Sequence, residues 1–104
     1  MLEPSITTYK DQEDNDFYFF SVKEEELTYS IPLTRYQLEV LESGLDGCLY
    51  QGVLDLALEF CNIQVNERKN IVSIMFINYA PVLTFEIQKT YVINILQDIK
   101  EVLG

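Results

Sequence analysis

Leu27-Thr28-Tyr29-Ser30-Ile31-Pro32-Leu33-Thr34 is echoed by Leu83-Thr84-Phe85-Glu86-Ile87-Gln88-Lys89-Thr90, with four identities and one Tyr-for-Phe exchange across the eight positions. In both stretches apolar residues alternate with polar ones, the period-two signature of a strand with one buried face. Each follows another apolar run and leads straight into a segment of helical periodicity. The echo predicts one β-β-β-α unit used twice, over 5–44 and 53–103. Pro32 has no N–H to give to a ladder, which places it near a strand end or on an edge.

Working outward from the first copy, Ser5 to Lys10 is a short β-favouring run, expected as an edge strand. Phe17 to Val22 is apolar on both sides, as a covered central strand would be, and Lys23-Glu24-Glu25-Glu26 turns it into Leu27. Along Leu27 to Leu33 the inward face is expected to carry Leu27, Tyr29, Ile31 and Leu33. Thr34-Arg35-Tyr36-Gln37 has the spacing of a capping box, in which the Thr hydroxyl and the Gln side chain satisfy each other's backbone N–H. The helix is expected to bury Leu38, Leu41 and Leu45 and to stop at Ser43-Gly44, with Gly44 in the left-handed conformation.

The stretch from Leu49 to Cys61 carries two signatures. Leu, Ala and Glu favour helix, yet Leu54, Leu56, Leu58 and Phe60 alternate strictly with Asp55, Ala57 and Glu59. We read a strand, extended through Val65 with an irregularity near Cys61-Asn62. Asn66 to Asn70 is a hairpin loop, Ile71 to Asn78 a central strand and Tyr79-Ala80-Pro81 a turn. Val82 to Gln88 turns Leu83, Phe85 and Ile87 inward. From Thr90 or Tyr91 to Leu103 a longer helix recurs on Val92, Ile95, Leu96, Ile99, Val102 and Leu103. The expected class is α+β: antiparallel sheet or sheets with two helices, in a single domain of 104 residues.

Composition narrows the function. Nearly half the residues are apolar, with seven Tyr and six Phe, so a core can form without staples. No apolar run approaches the ~20 residues that span a bilayer. Met1-Leu2-Glu3-Pro4 offers neither a basic region nor an apolar signal core, so a cytoplasmic location is expected. Cys48 and Cys61 are then most simply buried thiols. The net charge of −10 arises wholly in the first two thirds of the chain; residues 67–104 carry four acids and four bases. Such a field repels nucleic-acid phosphates and anionic lipid heads. Direct nucleic-acid and membrane binding are not expected.

Chemistry finds few footholds. There is no His to activate a Ser or Cys nucleophile, no Gly-rich phosphate loop and no metal-ligand cluster, so neither an enzyme nor a cofactor is expected. Asp55 and Glu59 could pair as acid and base, but their alternation with leucines marks a solvent-facing side. Asp11-Gln12-Glu13-Asp14-Asn15-Asp16 invites a calcium reading and fails it: counting from Asp11, the sixth residue is Asp16 rather than Gly, and the twelfth is Val22 rather than Glu. What remains is charge. Asp11, Glu13, Asp14, Asp16, Glu24, Glu25 and Glu26 are expected to gather as one acidic patch that docks on a basic protein surface. A Tyr or Phe anchor would complete it, with Tyr79 and Tyr91 as the tyrosines placed for exposure. Small inhibitor, immunity and anti-defence proteins of bacteria and phages act in this way. The alternative is a structural homo-oligomer, paired through a strand edge or through Val92, Ile95, Ile99 and Val102, with acidity serving solubility alone.

Overall fold

The computed structural model describes residues 2–79 and 81–104; Met1 and the Ala80 of the expected turn lie outside the described residues. The order is β1 (Glu3–Lys10), β2 (Asp16–Glu24), β3 (Leu27–Thr34), α1 (Arg35–Tyr50), β4 (Asp55–Ala57), β5 (Cys61–Asn66), β6 (Ile71–Phe76), β7 (Leu83–Gln88) and α2 (Lys89–Leu103). Strands β1-β2-β3 form one antiparallel sheet and β4-β5-β6-β7 a second. The class is α+β. The second half has four strands rather than three, so the expected β-β-β-α unit does not recur as such. The echo nevertheless marks equivalent passages: Leu27–Thr34 is β3 running into α1, and Leu83–Gln88 is β7 running into α2.

The inner faces of both sheets and the apolar stripes of both helices build one core. Tyr18, Phe20 and Val22 of β2 are buried with Ile31 and Leu33 of β3, Ile63 of β5, Ile74 and Phe76 of β6, and Phe85 and Ile87 of β7. Phe20 meets Phe76 across the seam between the sheets, with ring centroids 5.6 Å apart, and Tyr29 meets Phe85 at 5.7 Å. Helix α1 packs against strands of both sheets, as does α2, and the helices touch each other. As expected, β2 is central and apolar on both sides. On its outer side the Tyr9 ring of β1 stacks on Phe17 at 5.5 Å and on Phe19 at 4.7 Å.

The start of α1 is the capping box that its sequence encodes. Gln37 N–H donates to Thr34 Oγ1 at 3.2 Å, and Thr34 N–H donates to Gln37 Oε1 at 3.0 Å. Its end is not where expected. The helix runs through Ser43-Gly44 to Tyr50, because Leu45 and Cys48 continue the buried stripe of Leu38 and Leu41. Gly44 serves close approach instead of a left-handed stop. A Cβ there would stand 2.9 Å from Leu58 Cδ1, 3.2 Å from Ile63 Cδ1 and 3.3 Å from Leu56 Cδ2. Half-buried Leu58 can swing aside, so Gly44→Ala is expected to stay within about 1 kcal/mol of the native stability, helix propensity offsetting the crowding. Gly44→Val pushes further against the fully buried Ile63 and is expected to lose about 2–3 kcal/mol in urea unfolding.

The single strand expected from Leu49 to Val65 is not one: Leu49 and Tyr50 complete α1, whose buried stripe reaches Cys48, and the remainder forms two strands. A tight turn, closed by Leu58 N–H to Cys61 C=O at 2.7 Å, separates β4 from β5. Phe60 in that turn is buried, its ring 6.5 Å from Phe76. Leu54, expected on the buried side, is exposed. Helix α2 begins one residue before the expected Thr90, and its first residue, Lys89, still donates its N–H to Asn70 C=O at 2.8 Å, one step beyond the β6–β7 ladder. Arg35 ties three elements together, its guanidinium donating to Tyr18 Oη at 3.3 Å, Glu39 Oε1 at 3.1 Å and the Leu103 carbonyl at 2.7 Å. Cys48 and Cys61 are free and buried. Among the described residues no helix is long and apolar enough to cross a membrane.

Candidate functional site

The seven acids singled out from the sequence fall into two groups. Asp11, Glu13, Asp14 and Asp16 lie in or beside the loop between β1 and β2; Glu24, Glu25 and Glu26 form the turn between β2 and β3. These turns sit at opposite ends of the nine-residue β2, roughly 26 Å apart at about 3.3 Å per residue. They do not make one patch.

The first group is largely engaged by its own surroundings. Lys10 Nζ lies 3.4 Å from Asp14 and 3.7 Å from Asp16. Asp11 organises the loop: its Oδ1 accepts the N–H groups of Glu13 and Asn15, both at 2.9 Å, and its Oδ2 accepts the Asn15 side-chain amide at 3.2 Å. The backbone N–H of Asn15, foremost, holds the Asp11 carboxyl below its ordinary range. Asp11, Asp14 and Asp16 are thus engaged within the loop, whereas the Glu13 carboxylate has no ion pair among the described residues.

The second group is different. Among the described residues none of Glu24, Glu25 and Glu26 forms an ion pair. Glu24 is joined by a residue that sequence inspection missed. Glu24 and Glu86 line one shallow depression of about 510 Å³, with Leu2, Ile71, Thr84 and Gln88. Glu86 comes from β7, 62 residues along the chain from Glu24, so no local pattern could have signalled it. Beside the turn, Leu27 is 63% exposed and Tyr29 38% exposed. Alternation did place both on the same face as the buried Ile31 and Leu33, but β3 runs on beyond the core at this end. An apolar pair therefore stands next to unpaired carboxylates.

Backbone geometry adds a further sign. Glu25 has φ 55°, in the left-handed region. Asp14 and Asn70 also have positive φ, and short Asp and Asn side chains are enriched there; a Glu is not. The turn's own needs would be met more easily by Gly. Glu25→Gly is expected to raise stability by up to about 1 kcal/mol in urea unfolding, by relieving the left-handed Cβ.

The tyrosines are redistributed relative to expectation. Tyr79 and Tyr91 are half-buried against the core, whereas Tyr36 and Tyr50 are exposed. Val92, Ile95 and Ile99 of α2 are buried in the chain's own core, with Val102 packed against it, so that helix face is already covered. Among the described residues no cluster of His, Cys, Asp and Glu is grouped to hold a metal ion. No protein-family model, curated protein or solved structure matches this chain.

Proposed function

We propose that the chain is a small, non-enzymatic protein-binding module that docks on a basic partner surface, as an inhibitor or immunity-type protein does. The single observation that carries this reading is the end of the molecule where Glu24, Glu25, Glu26 and Glu86 stand without ion-pair partners among the described residues, beside exposed Leu27 and Tyr29. Unpaired carboxylates of one sign steer a cationic surface into encounter, and a desolvated apolar anchor then slows its departure. The Glu25 backbone supports the same view. A carboxylate kept where Gly would fold more readily points to a use for the carboxylate.

Immobilised wild-type protein is expected to retain a basic partner from host lysate at low salt and to release it as salt screens the pair. Glu24→Lys, Glu25→Lys and Glu26→Lys, made together on an exposed turn, are expected to abolish that capture without lowering the urea midpoint appreciably. Asp14→Lys with Asp16→Lys, at the other end of β2, is expected to leave capture intact. Equal capture by both charge-reversed proteins would refute the assignment.

A further inference from the structure

The edge of the second sheet is open on the side of β4. Hydrogen bonds from Val65 N–H to Leu54 C=O at 2.9 Å and from Leu58 N–H to Cys61 C=O at 2.7 Å extend the β4–β5 ladder past both ends of β4. In an antiparallel ladder bonding residues alternate, so Leu54, Leu56 and Leu58 bond inward to β5. The N–H and C=O groups of Asp55 and Ala57 consequently face away from the sheet. Beside this edge runs a groove against α1, formed by two adjoining depressions of about 320 and 600 Å³. Tyr36, Val40, Leu56 and Leu58 line it, with Glu39 and Glu59 at its rim. Tyr36 is 62% exposed.

We propose that this edge and groove receive an extended segment of a partner protein as an added strand, apolar at every second residue and carrying Lys or Arg between. Main-chain bonds to Asp55 and Ala57 would supply affinity, and alternate side chains specificity. The inward side chains of such a strand would lie over Leu56, Leu58 and Val40 and under the Tyr36 ring. Its outward side chains would run beside Asp55 on the outer side of β4 and Glu59 in the following turn. Neither carboxylate has an ion pair among the described residues. This arrangement selects a cationic partner strand. A second copy of a chain of net charge −10 fits it poorly. The site is separate from the Glu24–Glu26 end and does not depend on it.

A capped peptide of alternating valine and lysine is a direct probe, with the valine–glutamate peptide as control. Shifts in the amide NMR spectrum should map to β4 and the first turns of α1. At about ten times Kd, hydrogen exchange of the Asp55 and Ala57 amides should slow roughly tenfold. Ala57→Pro removes one outward N–H while leaving the bonds to β5, and should weaken binding roughly tenfold. Tyr36→Lys, on a largely exposed side chain, provides the same test should the proline variant fail to fold. The proposal is overturned if the peptide's shifts map only to Glu24–Glu26, or if the glutamate peptide binds equally well. It is likewise overturned if both variants bind like wild type, or if the edge amides are already protected in a concentration-dependent dimer.

Discussion

Phe20→Ala is expected to cost about 3–5 kcal/mol of folding stability, a large share of the roughly 5–15 kcal/mol available to a domain of this size. Phe20 is fully buried on the central strand β2, paired in register with Ile6 and Ile31, and its ring packs on Phe76. Phe76 in turn meets Phe60 at 6.5 Å and Phe85 at 6.2 Å. Truncating Phe20 therefore opens a void at the seam where the two sheets meet, in a place ringed by stiff aromatics that cannot easily collapse into it. Urea unfolding should show a lower midpoint with little change in slope. Phe19→Ala, on the outer face under Tyr9, removes a half-buried ring and should cost much less. A loss below about 1 kcal/mol for Phe20→Ala would mean that the sheets do not share one core.

The second large effect is alkaline. Burial pushes the Cys61 thiol from its ordinary 9.0 up to about 12. The folded protein thus keeps the proton over a range in which the unfolded chain releases it. The stabilisation is complete below pH 9 and is lost as pH rises from about 9 to about 12. At about 1.36 kcal/mol per unit, the full loss approaches 4 kcal/mol. Burial also raises the Cys48 thiol, in the same direction. Urea midpoints between pH 8 and about pH 10 should fall in the wild type, and fall less in Cys61→Ala after its own cavity cost is subtracted. Both thiols should resist alkylation until the chain unfolds. Identical pH slopes for the two proteins would contradict the burial of Cys61.

Much of the architecture could be read from short-range chemistry. Thr34 and Gln37 announced the start of α1, period-two alternation identified β3 and β7, and an unbroken β-favouring apolar run identified β6. What failed did so for tertiary reasons. Gly44 has two physical uses, a left-handed stop or a close approach, and only the neighbouring Leu56, Leu58 and Ile63 decide between them. The turn after Leu58 contains no Gly, Pro, Asn or Asp, the residues that advertise turns; burial of Phe60 drives it instead. The acidic residues themselves were evident, but their grouping was not. Successive turns of an antiparallel meander alternate between its ends, so the two acidic segments on either side of β2 had to separate. Glu86 joins the second of them through a strand from the other half of the chain, a relation that no local spacing encodes. Exposure of Leu27 escaped for a related reason: alternation assigns a face and says nothing about where along the strand the core ends.

On the proposed reading, the carboxylates of the β2–β3 turn, which have no ion pair among the described residues, act on a cationic partner with Leu27 and Tyr29 as the anchor. Association and dissociation rates of the captured partner, measured at low and high salt for wild type, the Glu24–Glu26 charge-reversed protein and Leu27→Ala, test it most directly. The predicted result is a wild-type association rate that drops steeply with salt, a low association rate at every salt for the charge-reversed protein, and faster dissociation with little change in association for Leu27→Ala. Association equally fast for wild type and the charge-reversed protein, or indifferent to salt, would contradict it.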